Sequence, residues 1–221
     1  MGNVFGLHPV KPRERIISTA RDLFRKHGIR GIGVDAIAEA AGTNKMTLYR
    51  HFGSKDELVA ECLRDFARDV EGYWAELEAK FPGDPVAQLR EWVRCGAECM
   101  NMNDGRGCDM ANAAVELADG DHPARQVIEE FKRKQRNRLA ELARDGGIAD
   151  PELLADALCL LLEGARVSIQ SVGKEGPGKH FIASVDAVIA SFQRRSVDGK
   201  RSTSPSRGQD ETGLARGVTM R

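Results

Sequence analysis

Most of the side chains that equip this chain to meet a partner lie in one short segment. Asn44, Lys45, Met46 and Thr47 offer an amide, an ammonium, a thioether and a hydroxyl with its methyl; Tyr49, His51 and Lys55 follow closely. The first four types suit the donors, acceptors and thymine methyl displayed on base edges in a major groove. A phenol, an imidazole and an ammonium suit phosphate oxygens. Packing alone would account for Ala38, Ala41, Leu48 and Phe52, but not for Lys45, Thr47, Tyr49, Arg50, His51 and Lys55 beside them. Double-stranded DNA is therefore the expected partner.

Other chemistries lack their signatures. There is no Gly-rich phosphate loop, no nucleophile elbow and no HExxH, so neither an enzyme nor a cofactor is expected. Cys95 and Cys99 lie one helical turn apart, with Cys108 and His122 beyond. Their spacing follows no structural zinc pattern, so no metal is expected, and free thiols filling a core are the simpler reading. A thiol switch is the alternative.

The elements that must position the polar segment are well punctuated. Ile16, Ala20, Leu23 and Phe24 give a helix over about 13–27, stopped at His27-Gly28. Val34–Ala41 and Lys45–His51 are two short helices joined by a tight turn, a helix-turn-helix that the first helix braces. Asn44 is placed to cap the second, and Ser54 with Glu57 forms a capping box opening a long helix to about Lys80. Asp84-Pro85, Asp121 with Pro123, and Asp150-Pro151 mark further helix starts. The total is about nine helices and no convincing strand, an all-α chain.

Charge divides the chain in the same way. The 33 basic and 33 acidic residues of the 221 cancel overall. Residues 1–58 hold ten Lys or Arg against six Asp or Glu, whereas 59–195 hold eighteen against twenty-four. A basic head on an acidic body fits a head that meets a polyanion. The expected organisation is a flexible arm at 1–12, a helix-turn-helix domain at 13–58, a larger helical domain at 59–195 and a disordered tail at 196–221. With neither a signal-peptide layout nor a membrane-length apolar run, a cytoplasmic protein that does not enter membranes is expected.

The segment GIGVDAIAEAAGTNKMTLYRHFGSKDELVAECL, Gly31 to Leu63, resembles the DNA-binding domain of the TetR/AcrR family of bacterial transcription regulators. TLYRHF followed by SKDEL carries the likeness. The resemblance implies three DNA-binding helices followed by six that bind a ligand and dimerise. It puts base contacts on Lys45, Met46 and Thr47 and phosphate contacts on Tyr49, His51 and Lys55. Gly33 stands where many members have Thr or Ser, and Asp35 where a basic residue often sits. The implied function is a ligand-responsive transcriptional regulator, a repressor that leaves a palindromic operator when a small effector binds.

Beyond Leu63 the residues say less. Phe181, Ile182, Val185, Val188, Ile189 and Phe192 form an apolar stripe, and the preceding helix is apolar on more than one side through Leu153, Leu154, Leu158, Leu161 and Leu162. In the resembling family the last two helices pair with their mates. Leu158, Leu162, Phe181, Val185, Val188 and Phe192 are accordingly expected at a homodimer interface. Trp92, Met100, Met110 and Phe131 are large and adaptable, and Glu163 interrupts a leucine-rich helix. They are expected to line a pocket for an apolar or amphipathic small molecule, with Trp92 and Phe131 walling one cavity. Core packing accounts for the apolar four equally well.

Overall fold

The computed structural model describes residues 11–102, 107–117 and 120–202. Among these, every regular element is helical: α1 (Pro12–His27), α2 (Val34–Ala40), α3 (Lys45–Phe52), α4 (Lys55–Lys80), α5 (Pro85–Met102), α6 (Asp109–Glu116), α7 (Pro123–Asp145), α8 (Pro151–Val172) and α9 (Phe181–Ser202), with a 3-10 turn at Pro177–His180. Among the described residues, no helix is long and apolar enough to cross a membrane. The last helix runs to Ser202, past the boundary expected at Ser196. Residues 1–10 of the expected arm and 203–221 of the expected tail lie outside the described residues.

Local chemistry sets the early boundaries. The Asn44 side-chain oxygen accepts from the Thr47 amide at 2.9 Å, and the Ser54 hydroxyl accepts from the Glu57 amide at 3.0 Å. Each bond satisfies an amide that the first helical turn leaves without a partner. Asp84 caps α5 in the same way through the Ala87 amide at 2.9 Å. Two caps differ from expectation. His122, not Asp121, caps α7, its Nδ1 accepting from the Ala124 amide at 3.1 Å. Asp150 begins α8 in a left-handed conformation, φ 49°, without a side-chain cap.

Three apolar clusters hold these elements. The first joins Ile16, Ile17 and Ala20 of α1 to Ile37, Ala38, Leu48, Phe52 and Leu58. Burying a side chain such as Ile16, Ile37 or Leu48, each fully enclosed, contributes roughly 1.5–3 kcal/mol. The second lies where the head meets the body and includes Ile29, Val59, Leu63, Met110, Ala113, Ile128 and Phe131. The third fills the body between α4, α5, α7, α8 and α9, where Trp74 stacks on Trp92 at 6.4 Å.

The stripe expected to meet a second copy turns inward. Leu158, Leu162, Phe181, Val185 and Phe192 are buried in the third cluster, and Val188 is partly buried against it. Periodicity identified a buried face correctly, but the protomer's own α5 and α8 cover it. The basic run of α7 is a paired surface: Lys132 with Glu163, Lys134 with Glu130, Arg136 with Asp156 and Arg138 with Glu78.

Ion pairs clamp α1 to α4. Arg13 pairs with Glu61, and Arg21 reaches Asp65 at 2.6 Å and Asp69 at 2.8 Å. Burial opposes ionisation of Glu61 and Asp65, but the hydrogen bonds of Glu61 to Arg64 and Arg13, and of Asp65 to Arg21 and Arg68, win. Both carboxyls are held below their ordinary values of 4.5 and 3.8. A depressed carboxylate stabilises the fold above its unfolded pKa, and that contribution disappears as pH falls through the lower folded value. The melting temperature should therefore drop below about pH 4.5, and Glu61→Gln should flatten that drop. An unchanged acid profile in this variant would show that the Glu61 pairs contribute nothing.

Candidate nucleic-acid interface

Helix α3 presents its ends and outer face to solvent because Leu48 and Phe52 anchor its inner face. Met46 is 79% exposed and Tyr49 38%. Lys45, Arg50 and His51 are exposed, and Thr47 is half-buried. Lys45, Met46, Thr47, Tyr49 and His51 thus lie together on one short helix, with Asn44 capping its start and Lys55 opening the next helix, α4.

Two of them have prior engagements. Asn44 spends its side-chain oxygen on the cap, leaving its amide nitrogen for a partner. Lys55 donates from Nζ to the Ile29 carbonyl at 2.6 Å, so in the free chain it ties α4 to the turn after α1. A third feature was missed in the sequence. Lys45 Nζ lies 3.1 Å from an oxygen of Asp35, with both side chains at least half exposed. Asp35 shields the ammonium at the start of α3 and adds a negative charge to that surface. An exposed pair of this kind contributes about 0–1 kcal/mol to stability. Asp35→Ala should leave the melting temperature nearly unchanged and tighten DNA binding severalfold at low salt, as measured by fluorescence anisotropy. Weaker binding would mean that Asp35 orients Lys45 rather than restraining it.

The head is also fastened to α6. Glu116 Oε2 accepts from the Ile29 amide at 2.7 Å and the Arg30 amide at 3.2 Å. Arg25 forms a forked pair with Asp109, at 3.2 and 3.0 Å. Gly28, at φ 76°, lets the chain turn under Glu116; a Cβ there would meet its carboxylate oxygens at 3.1–3.2 Å. His122 Nε2 lies 3.4 Å from Asp56 at the start of α4. Only the third dimension brings Ile29 and Glu116 together, so no local signal pointed to this fastening.

The family model described as bacterial regulatory proteins, tetR family, matches residues 16–62. A TetR-family transcriptional regulator of Streptomyces coelicolor has a similar structure, with a TM-score of 0.76 and 26% identity over 82% of this chain and 96% of that one. The chain belongs to the TetR family. Among curated relatives, the transcriptional repressor KstR2 of Mycolicibacterium smegmatis is 25% identical over 196 residues, 84% of this chain and 94% of its own. The transcriptional regulator AcrR of Shigella flexneri is 35% identical over 79 residues, but the match spans only 36% of this chain and 37% of that protein. This TetR-family chain is a DNA-binding transcriptional regulator and not an enzyme.

The expected pocket residues of this regulator do not converge. Trp92 and Met100 are buried in the body cluster, Met110 and Phe131 in the junction cluster. Phe131 packs on Phe66 at 5.6 Å, while Trp92 stacks on Trp74, so they do not wall one cavity. Glu163 is paired with Lys132 and lies 3.5 Å from Arg166. Large apolar side chains at these positions are core. An open cleft of about 720 Å³ lies elsewhere, between α1, α4, α6 and α8. Phe24, Ile29, Val59, Leu63, Val115 and Val167 supply apolar walls, with Arg21, Arg25, Asp109 and Glu116 at its charged edge. None of the five expected pocket residues lines it. Its wall therefore includes both fastenings between head and body.

Proposed function

We propose that this TetR-family regulator is a homodimeric repressor that reads a palindromic operator with α3 and is released by an apolar or amphipathic effector. The observation that carries the reading is the cleft of about 720 Å³ bordered by Glu116, Arg25 and Asp109, the residues that fasten the reading head. A volume of this size suits a small molecule, and the walls are mainly apolar with few polar groups. An effector wedged there shifts α6 against α1 and changes the separation of the two heads. Heads in successive major grooves need half-site centres about 34–36 Å apart, or a small multiple. A ligand that prefers the other separation lowers operator affinity, and a coupling of about 1–3 kcal/mol is usual.

Dimerisation is assigned to faces the protomer leaves uncovered. Leu153, Leu160 and Val167 follow one another at seven-residue intervals along α8 and are 54%, 74% and 58% exposed; Ile182 of α9 is 45% exposed. This replaces the buried stripe with a second apolar stripe on the same two helices. A thermal-shift screen of apolar and amphipathic compounds tests the effector reading. A compound that raises the melting temperature should weaken operator binding, and Val115→Trp, at an exposed wall of the cleft, should abolish both effects while sparing DNA binding. Retention of both effects in this variant would place the effector elsewhere.

A further inference from the structure

Cys95 and Cys99 are not used by the proposed function. They occupy consecutive turns of α5, both half-buried, with Sγ atoms 3.9 Å apart. The groups that act on them come from three helices: Tyr73 of α4, Arg94 and Glu98 of α5 itself, and Arg166 of α8. The hydrogen bond from Cys99, and then that from Tyr73, favour the Cys95 thiolate and hold its pKa well below that of an ordinary thiol, although burial opposes this. Bonding to Cys95 and burial push the Cys99 thiol up. The pair is thus one poised nucleophile beside one proton-bearing thiol.

Geometry discriminates among the reactions open to two thiols. An unstrained disulfide needs Cβ atoms about 3.5–4.5 Å apart. Side chains four residues apart on a helix start from Cβ atoms about 5–6 Å apart, so closing that bond would deform α5. A soft atom bonded to both sulfurs at about 2.3 Å holds them roughly 3.3–3.8 Å apart in bent or tetrahedral geometry, near the spacing already present. Among the described residues, no group of three or more His, Cys, Asp or Glu side chains is arranged to hold a metal ion. The site therefore suits an acceptor satisfied by two sulfurs from the protein.

We infer that Cys95 and Cys99 form a dithiol capture site for monosubstituted trivalent arsenicals. Cys95 attacks arsenic first, and Cys99 closes the ring. An arsine oxide and two thiols yield a dithioarsenite and one water: two As–S bonds form, the As–O bond is lost, and both thiol protons leave on that oxygen. Arsenic stays trivalent, so no oxidant or reductant takes part.

Phenylarsine oxide is the probe, used on the full chain and read by intact mass and by competition with a small dithiol. Wild type should take up one phenylarsenic group per chain at equimolar reagent and release it to excess dithiol. Cys95→Ser and Cys99→Ser should each weaken capture by at least about 100-fold, because one sulfur loses the intramolecular second bond. Cys62→Ser, Cys108→Ser and Cys159→Ser should capture as wild type does, and thermal melts confirm that each variant is folded. Undiminished one-to-one capture in the Cys95 or Cys99 variant would overturn the assignment, as would no capture by wild type. Neither result bears on the cleft, which contains neither residue.

Discussion

Leu160→Glu should convert the protein to monomers and weaken operator binding by at least about 100-fold, the scale gained when two linked modules engage together. Leu160 is 74% exposed in the single chain, so glutamate there does not disturb the protomer core and the melting curve of the monomer should stay cooperative. In a dimer the same carboxylate would be buried in an apolar seam, and an unpaired buried charge is expensive. Val185→Glu gives a useful contrast. Val185 is fully buried against the body of its own chain, so its replacement should unfold the domain rather than separate two folded copies. Analytical ultracentrifugation with circular dichroism distinguishes the outcomes. A Leu160→Glu variant that remained dimeric would move the interface off the exposed α8 stripe.

The second large effect concerns the reading helix. Lys45→Ala and Thr47→Ala should each cost about 1–3 kcal/mol at the base pair they contact and relax preference there, while binding to random DNA changes less. Tyr49→Phe and His51→Ala should weaken specific and random binding alike, because a phosphate contact carries no sequence information. Lys55→Ala should do two things. It removes a cation, reducing the salt dependence, and it releases the Ile29 carbonyl, loosening the turn that Glu116 holds from the other side. Its melting temperature should therefore fall, unlike that of Lys45→Ala. Competitive binding against a randomised duplex measures all five variants. Equal losses on operator and random DNA for Lys45 and Thr47 would remove them from base reading.

The head was legible because its determinants are local. Asn44 and Thr47, or Ser54 and Glu57, lie three residues apart, so side-chain type and spacing fix the caps before any tertiary contact forms. The body was legible as helices but not as sites. Apolar periodicity shows that a face is covered, not what covers it, so Phe181 and Val185 could not be told from an interface until α5 and α8 were seen against them. Trp92, Met100, Met110 and Phe131 misled for a related reason: large side chains line pockets and fill cores alike. The cleft gathers Arg21, Asp109 and Gln170 from widely separated parts of the chain, and no short-range pattern marks such a set. The Lys45–Asp35 pair lies between, since both residues were noticed but their contact depends on the angle between α2 and α3.

Selection of bound duplexes from a random library, followed by footprinting of the winner, shows whether a dimer reads DNA through two copies of α3. The expected winner is a palindrome protected on one face, with half-site centres about 34–36 Å apart or a small multiple, whose enrichment is lost in Lys45→Ala and Leu160→Glu. Enrichment of a single unrepeated site, or of no sequence at all, would contradict a dimer reading DNA through two copies of α3.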